Sequence, residues 1–140
     1  MKTVRTLAVL VMVATVLAAI MGSYVRGMGA GLACLDWPLC HGRLIPPLDQ
    51  QAVVLEWTHR MIVFVMGWMV LALLVITWRR RMQGRYLATV AFIFLLGQAI
   101  LGGMTVLNRL HPLIVALHQG MALVFFGSVV ALISIGGISH

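Results

Sequence analysis

The chain has 140 residues, of which 62% are hydrophobic and only 9% charged, with a formal net charge of +7. Soluble domains carry about a quarter charged residues, so this composition excludes a soluble globular fold. The basic residues cluster at the ends of apolar runs, which excludes nucleic acid as the partner and points to a lipid bilayer.

Four apolar runs are long enough to cross a membrane, because about twenty residues at 1.5 Å rise span the hydrocarbon core. They predict helices over about 5–25, 52–78, 85–107 and 112–136, joined by a long loop over 26–51. The fold class is an all-α integral membrane protein: one four-transmembrane-helix bundle over 1–140, with no room for a separate soluble domain. The first run follows Lys2 and Arg5 and contains "AAIMG", but it is long for a leader and its small-residue pattern is poor. It is expected to be a retained helix. Lys2, Arg5, Arg79, Arg80, Arg81 and Arg85 fall at one end of a chain that weaves back and forth. Arg26, Arg43, Arg60 and Arg109 fall at the other, with all three acids, Asp36, Asp49 and Glu56. The excess of basic residues predicts cytoplasmic termini and an extracytoplasmic 26–51 loop in a multi-pass cell-membrane protein. No internal repeat is visible.

In the loop, "RGMGAGL" has the wrong spacing and context for a nucleotide loop, and its glycines allow a sharp turn out of the membrane. Farther on, "GLACLDWPLCHG" holds the two cysteines, Cys34 and Cys40. Asp36, Trp37 and Pro38 supply turn chemistry between them. An oxidising compartment would let a disulfide persist, either as a staple over the bundle or as a redox-active pair. Covalent haem attachment is excluded, since no C-x-x-C-H occurs even though His41 follows Cys40. A zinc site on Cys34, Cys40 and His41 would lack a fourth ligand.

The second run opens with "EWTHR". Glu56 stands one turn before His59 on the same face, where it either pairs with Arg60 at i,i+4 or serves whatever His59 binds. His118 lies inside the fourth run, while His111 precedes Pro112 at its start and His41 and His140 lie outside the spans. The second and fourth runs point the same way, and His59 and His118 both lie on the order of 10 Å inside their helices. Ionisable groups within a membrane segment face the bundle interior and mark function. Two neutral imidazoles at matched depth offer axial nitrogens to a haem iron. Arg26, Arg60 and Arg109 are candidates for haem propionates or lipid phosphates. Ala99 with Gly103, and Ala116 with Gly120, are small-residue pairs that would let helices approach.

Three blocks, "GSYVRGMGAGLACLDWPLCHGRLIPP", "EWTHR" and "LLGQAILGGMTVLNRLHPLIVALHQGMALV", closely resemble the haem A synthases of the CtaA/Cox15 family. The compact length is similar to the short archaeal-type variants. The resemblance implies a membrane enzyme that oxidises the C8 methyl group of haem O to a formyl group, giving haem A for terminal oxidases. It places haem b on His59 and His118 as iron ligands, assigns Glu56 to the methyl oxidation, and pairs Cys34 with Cys40. It also implies association with haem O synthase. Met28 stands where the family often has Thr, and Leu35 where it often has Pro. Typical members have eight spans in two halves, so a homo-oligomer of this chain is expected to supply a second histidine pair. Two further readings use the same features. One is a haem b electron-transfer subunit, which gives Glu56 no chemical task. The other is a quinone-linked membrane thiol oxidoreductase, which generally needs two cysteine pairs.

Overall fold

The computed structural model describes residues 2–136, so His140 lies outside the described residues. Among them every regular element is helical: α1 (Lys2–Gly27), α2 (Gln51–Arg79), α3 (Arg85–Leu107) and α4 (Pro112–Gly136), with a short 3₁₀ turn at Ala30–Leu32. All four helices are long and apolar enough to cross a membrane. A helix is the form that satisfies its own backbone groups where water is absent. α1 takes in Lys2, ahead of the expected start near residue 5, since Lys and Arg are good helix formers whose charged tips reach water from a helix end.

Short connections force antiparallel neighbours. α2 and α3 are joined by a tight turn in which Arg81 takes φ 50°, with Met82 N–H donating to Thr77 O at 2.9 Å. The α3–α4 turn repeats the device, with Arg109 at φ 50° and Leu110 N–H donating to Thr105 O at 2.7 Å. Both are helix C-termini closed by a left-handed residue. Here that residue is arginine instead of glycine, a position that also suits a cation beside the helix C-terminus.

α1 packs against α2 and α4, and α3 packs against the same two, so α2 and α4 occupy opposite corners of the bundle. The apolar core fills the arginine end. It is built from Val4, Ala8 and Val11 of α1, Met66, Val70 and Leu73 of α2, and their counterparts on α3 and α4. A second, small cluster of Cys34, Cys40 and Val53 lies at the loop end. The layer between them holds the histidines.

Burial exposes a repeat that residue identity hides. On α2, His59 leads into buried Met66, Val70 and Leu73; on α4, His118 leads at the same spacing into buried Phe125, Val129 and Leu132. On α1 the series Ala8, Val11, Thr15, Ala18, Gly22 has the spacing of Ala88, Ala91, Leu95, Gln98, Gly102 on α3. The bundle is thus two similar helical hairpins, α1–α2 and α3–α4. Glu56 falls opposite Val115 in this correspondence, and both are buried.

Candidate functional site: two imidazoles beneath a pinned cap

His59 and His118 each continue the inward stripe of their helix, so both side chains turn toward the bundle interior from opposite corners. Both are half-buried. Each ring rests on the first helix of its own hairpin. A Cβ placed on Gly22 would lie 3.0 Å from His59 Cε1, and one on Gly102 would lie 3.3 Å from His118 Cε1. The Nδ1 atoms of both rings and Oε1 of Gln98 on α3 are buried without a well-formed hydrogen bond, although the backbone of Ala18 lies near the His59 ring and that of Gln98 near the His118 ring. Buried polar atoms are ordinarily paired, so three poorly satisfied atoms near the two rings are what a layer that takes a further ligand would show.

Above the histidines, residues 28–50 fold into a cap. Cys34 and Cys40 are joined, with Cα atoms 4.8 Å apart. Both are essentially fully buried. The zinc alternative fails here, because the two sulfurs bind one another. Asp36 accepts hydrogen bonds from His41 N–H at 2.8 Å and Gly42 N–H at 2.7 Å. Those N–H groups, Gly42 foremost, and the nearby Arg60 guanidinium hold the Asp36 carboxyl below its ordinary value of 3.8. His41 sets its Nε2 2.9 Å from Ala33 O, so its ring serves the loop.

Arg60 fastens this cap to α2. Its Nε donates to Glu56 Oε1 at 2.9 Å, one N–H of Nη2 goes to Cys34 O at 2.9 Å, and Nη1 bonds the carbonyls of Asp36 and Leu39. These bonds occupy four of the five guanidinium N–H groups. The i,i+4 pair with Glu56 therefore forms, and it is buried, with side chains only 11% and 8% exposed. Trp57 Nε1 adds a bond to Leu44 O at 2.8 Å, and the Trp37 ring lies against Gly103 of α3. The cap is thereby tied to both hairpins.

Of the residues singled out in the sequence, Glu56, His59, His118 and Arg60 share the loop-end half of the bundle. Arg26, Arg109 and His111 are exposed at that same end, on the last turn of α1, the α3–α4 turn and the start of α4. The small-residue pairs behave differently from expectation. Gly103 is covered by Trp37 instead of a helix, and Ala116 and Gly120 are exposed, with nothing within 4 Å of a Cβ at Gly120. The reason is that α4 turns its His118 and Phe125 face inward, which leaves the Gly120 face outward. Sequence reading missed Gly22, Gly102 and Gln98. The one signal was the matching spacing of Ala18 and Gly22 on α1 with Gln98 and Gly102 on α3, visible only once the histidine seats are known.

Among the described residues no group of three or more His, Cys, Asp or Glu side chains is placed to hold a bare metal ion. Two inward-turned imidazoles from opposite corners fit an iron whose remaining ligands arrive with it, as in a porphyrin. Fold and site together define a four-helix membrane bundle with a histidine pair below a stapled, arginine-pinned cap.

Comparison with known proteins places this class. The family model COX15-CtaA, described as cytochrome oxidase assembly protein, matches residues 5–135. Among similar curated proteins, one named heme A synthase from Bacillus pumilus is 38% identical over 133 residues, which cover 91% of this chain and 43% of that protein. Another from Bacillus licheniformis is 35% identical over 135 residues, covering 94% of this chain and 44% of that protein. A third, from an Exiguobacterium species, is 38% identical over 120 residues, covering 83% and 40%. The chain therefore belongs to the COX15-CtaA family. It spans less than half the length of these relatives. No solved structure matches the chain.

Proposed function

We propose that this four-helix unit performs the haem A synthase reaction, oxidising the C8 methyl group of haem O to a formyl group. The observation that carries this reading is the pair of half-buried, inward-turned imidazoles on diagonal helices, with a buried carboxylate one turn above one of them. His59 and His118 would hold the iron of haem b, which supplies a redox-active centre when bound. Glu56 lies on the His59 side only, since Val115 takes the corresponding place on α4. A carboxylate there can accept a proton from the reacting methyl group or balance developing positive charge. Arg60 keeps Glu56 and the cap in place, with one N–H left for a propionate; Arg26 and Arg109 stand at the same end to meet propionates in turn.

One unit offers one histidine pair. Holding a resident haem b together with haem O as substrate takes a second such unit, which another copy of this chain supplies in a homo-oligomer. The cap faces the extracytoplasmic side and the termini the cytoplasm, in keeping with the arginine-rich end opposite. Cys34–Cys40 acts as the cap's staple. Haem O, delivered from haem O synthase by direct association, is the expected incoming ligand.

The test is haem extraction from membranes carrying the parent or Glu56→Gln, each supplied with haem O. The parent should yield the formyl product, whereas E56Q should retain bound haem yet yield none. Equal product from E56Q would remove the carboxylate from the chemistry, and the absence of formyl product from the parent would leave an electron-transfer haem subunit as the better reading.

A further inference from the structure

Each hairpin places a glycine directly behind its histidine. The Cβ position of Gly22 is 3.0 Å from His59 Cε1 and 3.5 Å from both ring nitrogens. That of Gly102 is 3.3 Å from His118 Cε1 and 3.8 Å from Nδ1. Ordinary contacts between carbon atoms lie at about 3.5–4.0 Å, so a methyl group at either site would push on the ring. Neither glycine is demanded by its backbone: both sit inside helices, where glycine is less favourable than alanine. Other helical glycines lack this relation: Gly97 and Gly103 lie against Met121 and Trp37 instead of a histidine, and Gly67, Gly120 and Gly127 have nothing within 4 Å of a Cβ. The same arrangement occurs twice, at corresponding places in two hairpins that share some core residues, such as Leu73 and Leu132, and differ at others, such as Thr15 and Leu95.

We propose that Gly22 and Gly102 are positioning residues for the iron-ligating histidines, each bringing the first helix of its hairpin close enough to set the plane of the imidazole on the second. This rests on the reading of His59 and His118 as haem ligands. Its physical content is steric. A helix backbone with no side chain forms a flat wall for the ring, and two such walls fix the angle between the two imidazole planes. That angle sets the splitting of the iron d orbitals in a low-spin ferric haem, and with it the g anisotropy and the reduction potential. Groups beyond the ligands commonly orient them and tune the metal in this way.

The experiment uses the full chain in detergent micelles loaded with ferric protoporphyrin IX, and it reads haem bound per chain, the largest g value and the midpoint potential. Gly22→Ala should keep its helical content while shifting both the g value and the potential. Gly102→Ala should shift them in the same manner but less, because its methyl group has more room. Gly67→Ala and Gly127→Ala should match the parent. Loss of haem from G22A with unchanged helicity, alongside a shifted G102A, also supports the proposal. It is overturned if G22A and G102A both match the parent, or if G67A shifts as much as they do. His59→Ala and His118→Ala run in parallel: if these keep the parent spectrum, the ligand assignment itself fails and takes the proposal with it, an outcome distinct from silent glycine variants beside haem-free histidine variants.

Discussion

Replacing Arg60 with alanine should unfasten the cap and strand a buried carboxylate. The Glu56–Arg60 pair is 2.9 Å long, and with side chains 11% and 8% exposed it does not belong with surface ion pairs, which contribute about 0–1 kcal/mol. Removing one partner of a buried pair costs about 3–5 kcal/mol, because the remaining charge stays desolvated and alone. The carbonyls of Cys34, Asp36 and Leu39 also lose their donors. Asp36 and Leu39 are partly exposed, so water can replace the guanidinium at two of the three carbonyls, and the lower end, about 3 kcal/mol, is the expected loss. Arg60→Lys keeps the charge but replaces a planar fork by a single point donor, and should recover only about half of that. Equilibrium unfolding in detergent measures the energy, and the rate at which a small reductant opens Cys34–Cys40 measures the cap directly. The reasoning is refuted if R60A unfolds within about 0.5 kcal/mol of the parent and its disulfide is reduced no faster.

The Cys34→Ser, Cys40→Ser double variant should lose about 2 kcal/mol, the chain-entropy value for so short a closed loop, while retaining bound haem and product formation; lost turnover with an intact, haem-loaded fold would make the pair a redox participant. Acid should loosen the cap through Asp36. Its carboxyl titrates below 3.8 in the folded chain, so the stability it contributes is present above that value and is lost as pH falls through the lower, folded one. Limited proteolysis within 28–50 should therefore accelerate below about pH 3.8 in the parent. Asp36→Asn should be cleaved faster at neutral pH and show no such step; a parent profile flat through acid would contradict this account of the turn.

Much of the fold is legible in the sequence because a bilayer leaves few choices. An apolar run of twenty or more residues between arginines has to be a helix, and short links make neighbours antiparallel. The histidine layer is legible for a similar reason, since an imidazole inside such a run needs an interior partner. What stays hidden depends on which face of a helix turns inward. Ala116 and Gly120 read as a packing stripe but face outward. Gly103 reads as part of a helix contact but carries Trp37 from a loop some sixty residues earlier in the chain. The hairpin repeat escapes notice because burial preserves spacing while residues change: Thr15 corresponds to Leu95, and Glu56 to Val115. Arg60 could be read as a propionate partner or as an ion-pair partner of Glu56. Only the folded loop shows that its other donors reach three carbonyls.

The proposed sharing of one iron by His59 and His118 can be examined most directly by electron paramagnetic resonance of the purified chain loaded with ferric protoporphyrin IX, compared with His59→Ala and His118→Ala. The parent should give a low-spin ferric signal typical of two axial imidazoles, and either substitution should abolish it, leaving high-spin iron or none. A parent that binds no haem, or whose low-spin signal survives both substitutions, would contradict the account.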